Sequence, residues 1–134
     1  MSRSRYENIQ SDLMVFIPES CFFLSLLSVA EDVTNKPVDL IGAYKKAKDE
    51  YWLGRDNVMY NDTKLLEWLT GKKVTKEVHM GPLNGRTIAD NEYTICKYRR
   101  GSMTHFNRRG YDVYKDSLTV LKGRLESIYI YRFE

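Results

Sequence analysis

The feature that most constrains the fold is a change of pattern at Gly71. Before it, apolar residues recur at helical spacings; after it, β-branched and aromatic residues alternate with polar ones. Helices first and strands afterwards predict an α+β domain, with N-terminal helices packed on a C-terminal antiparallel sheet. The first helix is expected after Pro18, with Ser20 as its cap. From Cys21, the residues Phe22, Phe23, Leu26, Leu27, Val29 and Ala30 cover most of a helical circumference, so this helix should be central and buried nearly all round. Pro37 and Asp39 open a second helix, with Leu40, Ile41, Tyr44, Ala47 and Tyr51 on one face and Gly54 as its end. Asn61 or Asp62 caps a third, whose core residues are Leu65, Leu66, Trp68 and Leu69 and whose stop is Gly71. Strands are predicted over Val74 to Met80, Tyr93 to Tyr98, Met103 to Asn107, Tyr111 to Tyr114 and Ile128 to Phe133. Gly81 to Gly85 separates two of them, and Arg108-Arg109-Gly110 has the length and glycine of a tight hairpin turn between His105 and Asp116.

A chain of 134 residues without repeats, linkers or low-complexity segments is read as one domain, 1–134. At 43% hydrophobic and 29% charged residues it falls among ordered globular proteins. The longest apolar run, Cys21 to Ala30, is broken by two serines and falls short of the about 20 residues that span a bilayer, so no membrane association is expected. The basic N-terminus is followed by acidic and polar residues where a signal peptide has its apolar core, which predicts a cytoplasmic protein. Cys21 and Cys96 are too few for a disulfide framework and are read as free thiols. With two histidines, they are scattered singly rather than at zinc-ligand spacing, so no metal is expected. No phosphate-cradling glycine loop is visible, and no organic cofactor is expected. The net charge of +3 is modest and its charges interspersed, so nucleic acid is not the expected partner. One local cluster, Lys97, Arg99, Arg100, Arg108 and Arg109, surrounds the His105 segment and is a candidate contact for an anionic partner. Its structural alternative is a set of solvated strand ends and a turn.

The candidate chemistry begins at Cys21. A thiol at a helix N-terminus is favoured as thiolate by unpaired backbone N–H groups and the helix dipole, and a nearby imidazole can take its proton. His105 is the candidate base. Two acids follow it in the expected hairpin, Asp112 and Asp116; Asp116 is favoured to orient the ring, because with His105 facing the helix it lies further along the partner strand. On residue chemistry alone, a buried helical cysteine is more often a small core hydrophobe and a strand histidine more often structural. Cys96, between Ile95 and Lys97 in a strand, is read as a packed core thiol. His79 is read as structural, since no acid follows it closely to orient the ring.

The run Cys21-Phe22-Phe23-Leu24-Ser25-Leu26-Leu27 resembles the Cys-aromatic-x-x-Ser-Leu-Leu opening of a poorly characterised papain-like family of phages and bacteria. Thr104-His105-Phe106, a glycine turn, Tyr114-Lys115-Asp116-Ser117, then Thr119-Val120 with Gly123-Arg124-Leu125 and a last aromatic strand resemble its ending. The resemblance covers about residues 15 to 134. It implies a fold similar to that of the bacteriocin-processing peptidases, with Cys21 as nucleophile, His105 as base and Asp116 as orienting acid. The sequence departs from the papain-like pattern at the glutamine that donates to the oxyanion, since Met14 to Glu19 occupy that stretch. The nearest glutamine is Gln10, and loss of one such donor costs roughly 10² to 10³ in rate.

Two functions of different class follow. One is a cysteine hydrolase of amide, peptide or isopeptide bonds; the other is a catalytically inactive papain-like module, of phage origin, that binds a host protein or nucleic acid through the basic cluster. A cell-wall amidase ranks last, since no export signal or wall-binding repeat is visible.

Overall fold

A computed structural model describes residues 21–81, 83, 85–108 and 123–134. Among them are three helices, α1 (Cys21–Thr34), α2 (Leu40–Asp49) and α3 (Asp62–Thr70), followed by four strands. The strands are β1 (Val74–Met80), β2 (Glu92–Arg100), β3 (Met103–Arg108) and β4 (Arg124–Phe133), in one antiparallel sheet of order β1-β4-β2-β3. The architecture is α+β, as the change of pattern at Gly71 predicts. The expected strand Tyr111 to Tyr114 and the Pro18 and Ser20 start signals lie outside the described residues.

As its near-continuous apolar surface predicts, α1 is the core helix, with Phe23, Leu24, Leu26, Leu27, Val29 and Ala30 at most 1% exposed. It meets the sheet through Ile95, Tyr131 and Phe133, and Phe22 stacks on Phe106 with ring centroids 4.4 Å apart. Polar residues on this helix are paired rather than solvated. Ser25 Oγ donates to the Cys21 carbonyl at 2.8 Å, and the Val38 N–H donates to Glu31 Oε2 at 2.9 Å. The helix ends at Asn35 in the left-handed region (φ 55°), its N–H returning to the Glu31 carbonyl.

The third helix follows its sequence signals closely. The Asn61 side chain accepts from the Lys64 N–H at 3.2 Å, and Gly71 closes the helix at φ 69° with its N–H on the Glu67 carbonyl. Two expectations about helix faces hold only in part. In α2 Ala47 is buried and Leu40 and Tyr44 pack on the core as expected, but Ala43 is the other buried residue, Ile41 is 61% exposed, and Tyr51, beyond the helix at φ 60°, is 83% exposed. In α3 Leu65 and Leu66 are buried, but Trp68 is 48% exposed, resting near Trp52 and beneath the Lys46 ammonium.

The sheet has one irregularity with consequences for charge. Pairing between β2 and β4 shifts from Lys97↔Ser127 to Tyr98↔Leu125, so Glu126 is the extra residue of a bulge. Gly123 leads into β4 where only glycine fits: its φ is +70°, and a Cβ there would lie 2.3 Å from the Arg99 carbonyl oxygen.

Candidate functional site

Which side of the sheet each residue faces is fixed by alternation and by the contacts of its neighbours. On β3, Phe106 stacks on Phe22 of α1, and Arg108 Nη1 donates to Ser28 Oγ at 3.0 Å and pairs with Asp32 at 2.9 Å. Phe106 and Arg108 therefore face α1. Successive strand residues point to opposite faces, so His105 and Asn107 face the other way. The register agrees: Tyr98 lies opposite His105 and Cys96 opposite Asn107, while Cys96 packs with Ile128 and Ile130 in a second apolar cluster apart from the α1 core.

Cys21, the first described residue of α1, is 6% exposed; His105 is 5% exposed. The two belong to opposite sides of the sheet. Alternation along β3 thus turns His105 away from the side on which Phe106 meets α1, which differs from the expectation that it faces the helix. Asp116 and Asp112, Gln10 and Arg109 lie outside the described residues. The thiol that shares a sheet face with His105 is Cys96, 3% exposed and packed, as expected, in an apolar cluster. Nothing in the spacing of single residues marks that sharing; only the register between β2 and β3 does.

His79 stands on the same far face as His105, and it has an acid partner that its sequence neighbourhood did not suggest. Its Nε2 meets Glu77 Oε2, two residues earlier and on the same side of β1. Sequence reasoning looked for an acid after His79; the pattern Glu-x-His within one strand was the available signal. Arg86, from the β1–β2 connection, bridges this pair to Glu92: it donates to Glu77 at 2.9 and 3.0 Å and to Glu92 at 3.1 and 2.8 Å. The Arg86 hydrogen bonds are the main cause that lowers the carboxyls of Glu77 and Glu92 from 4.5 to about 2, aided at Glu77 by His79 and at Glu92 by the Ala89 N–H. The same contacts raise the Arg86 guanidinium. This network fastens the connection to the sheet.

The basic cluster is distributed among internal acids. Lys97 and Arg99 both reach Glu126, at 3.0 and 2.5 Å, and hold its carboxyl at about 2, the Arg99 hydrogen bond being the larger cause. Arg108 is 7% exposed and paired with Asp32. Arg100 is exposed at the end of β2. Much of the charge that the sequence offered to an anionic partner is thus offset within the fold.

Beside the start of α1, on the helix-facing side, lies a shallow cleft of about 250 Å³ walled by Phe22, Phe106, Tyr129 and Met59, with Lys97 and Thr104 at its polar side. The three rings contact one another at 4.4 to 5.9 Å. Their mutual packing fixes the wall before anything binds. Among the described residues no group of three or more histidine, cysteine or acidic side chains is placed to hold a metal ion, and no helix is long and apolar enough to cross a membrane. Scans against protein-family models, curated proteins and solved structures return no match to this chain.

Proposed function

We propose that the chain is a non-catalytic binding module for a peptide or protein partner, held at the aromatic cleft beside the start of α1. The observation that carries this reading is the strand alternation that turns His105 away from the Phe106 side of β3, on which α1 packs, because a thiol and its general base must lie within about 3 Å or one water of each other. The cleft supports it. Rigid aromatic walls anchor an aliphatic or aromatic side chain at low entropic cost and are the residues that dominate binding energies at protein interfaces. Protein is favoured over nucleic acid because Glu126 and Asp32 already offset Lys97, Arg99 and Arg108.

The test has a chemical and a binding arm. Alkylation of Cys21 and Cys96 by iodoacetamide across pH 4 to 9 should be slow for both thiols and unchanged in His105→Ala. Fast alkylation of Cys21 near neutral pH that disappears in His105→Ala would overturn the reading. Peptides selected from a random displayed library should share an apolar anchor and lose affinity about tenfold with Phe106→Ala, as loss of one aromatic contact implies. Selection of no peptide, or peptides indifferent to Phe106, also counts against it.

The papain-like hydrolase, with Cys21 as nucleophile, His105 as base and Asp116 as orienting acid, is the second reading. It is favoured by the burial of both side chains, Cys21 on α1 and His105 on the strand that packs beside that helix. It requires a specific rearrangement: a one-residue slip of β3 against β2, which turns every side chain of the strand to the other face and carries His105 to the side of α1. The alkylation experiment separates the two readings directly.

A further inference from the structure

On the opposite end of α1 from the cleft, the last turn of α1, the first turn of α2 and the last turn of α3 line an open pocket of about 600 Å³. That is within the roughly 300–1,000 Å³ of small-molecule sites. Val33, Val38 and Leu69 supply apolar lining, Trp68 an aromatic ring, and Lys36 and Lys72 two ammonium groups, beside one carboxylate, Asp39.

We infer that this pocket binds a small amphipathic anion: a flat apolar ring, stacked on Trp68, carrying one carboxylate met by Lys36 and Lys72. Three observations carry the inference. The Trp68 indole is 48% exposed yet held in place, with Trp52 at 6.5 Å and the Lys46 ammonium 5.6 Å from its ring centre. An exposed aromatic plane fixed in advance is a stacking surface that loses little freedom on binding. Second, among the described residues no carboxylate pairs with Lys36 or Lys72; the same holds of Lys45, Lys48 and Lys73, which do not line the pocket. Third, Asp39 is the one acid of the lining; its Oδ2 lies over the first turn of α2, where a Cβ on Gly42 would be 2.4 Å away, and makes no side-chain capping hydrogen bond. Two ammonium groups against one carboxylate leave the lining with a net positive charge, and a ligand carboxylate between Lys36 and Lys72 gains charge-assisted hydrogen bonds.

This site is separate from the aromatic cleft and does not depend on whether Cys21 is reactive. The probe is 1-naphthoate, with the neutral naphthalene methanol of the same ring as its control, followed by amide chemical shifts of the whole chain. Saturable shifts confined to residues near 33–43 and 68–72 are expected, with a Kd on the order of 1 mM for a ligand of this size. The alcohol should bind at least fivefold more weakly. Trp68→Ala should weaken naphthoate about tenfold, and the double variant Lys36→Gln, Lys72→Gln should abolish the preference for naphthoate over the alcohol. All three side chains are exposed, so the variants retain the core, and an unchanged spectrum elsewhere verifies it. Shifts that do not saturate by about 10 mM, well above that Kd, overturn the inference. So do shifts spread evenly over the surface, a Trp68→Ala protein that binds as well, or a double variant that keeps its preference.

Discussion

The two faces of the sheet are built on different principles. The face toward α1 is apolar and aromatic: Ile95, Phe106, Tyr129, Tyr131 and Phe133 close a single core with the buried side of the helices. The far face carries Cys96, Tyr98, His105 and Asn107 at one end and the Glu77, His79, Arg86 and Glu92 network at the other, with Ile128 and Ile130 between. Both histidines are on the far face, while Cys21 belongs to the helix that covers the near one. The contrast shows that strand alternation gives each face its own apolar cluster and its own charged pairs, and that one residue of phase decides to which face His105 belongs.

The largest effects should come from the α1 side. Leu27 is fully buried among helix and sheet side chains, and Leu27→Ala should lower unfolding free energy by about 2–5 kcal/mol, the range for a buried leucine that leaves a cavity. Chemical denaturation checks this against Thr75→Ala, an exposed far-face position on β1 that should stay within about 0.5 kcal/mol of wild type. Equal losses at the two positions would break the division between the faces.

Next in size is the contact that joins α1 to β3. Asp32→Asn takes the opposite charge from Arg108, which is 7% exposed and also donates to Ser28. A loss of about 1–3 kcal/mol is expected, as for a buried polar group deprived of a partner. The measurement also sharpens the assignment of faces, because a strand slipped by one residue would carry Arg108 away from Asp32 and make the substitution nearly silent.

The elements that sequence made legible are those whose signals are local. Asn61 caps α3 and Gly71 ends it because both act within one turn through their own conformation and hydrogen bonds. The four described strands contain the expected runs of alternating β-formers for the same reason, but β4 begins at Arg124, four residues before the expected Ile128, and Arg108, expected in the turn, ends β3. The failures concern where an element turns its faces. Ile41 and Trp68 fit a helical apolar stripe by spacing, yet Ala43 and Ala47 are the residues that fit the close packing of α2, and the larger side chains remain outside. Cys21 and His105 stand out in the sequence by residue type alone. Their mutual placement does not, since it depends on the β2–β3 register, a long-range property that no residue spacing encodes.

A smaller effect tests that local legibility. Asn61→Ala should cost about 1 kcal/mol, as loss of a capping side chain typically does, and lower the thermal midpoint by a few degrees. Asn61→Asp should restore most of it, because a carboxylate accepts the same N–H and complements the helix dipole.

The smallest effect belongs to the far face and is seen as a slope against pH. The folded protein holds Glu92 at about 2, below the 4.5 of an unfolded carboxyl, chiefly through Arg86, then through the Ala89 N–H, with Arg132 at 3.5 Å adding charge. A carboxyl depressed on folding contributes stability that is fully present above its unfolded value and is lost as pH falls toward the folded one. The window is therefore about pH 4.5 down to about 2, with no change expected between pH 6 and 8 from this group. Glu77 is depressed over the same range, but its side chain is 48% exposed and solvent screens most of its contribution, whereas that of Glu92 is 4% exposed. Glu92→Gln should accordingly flatten the acid limb of the stability curve, and Glu77→Gln should alter it less. The reverse ranking would move the anchor of the far face from the buried carboxylate to the exposed Glu77–His79 pair, and the fastening of the β1–β2 connection would then rest on contacts open to solvent.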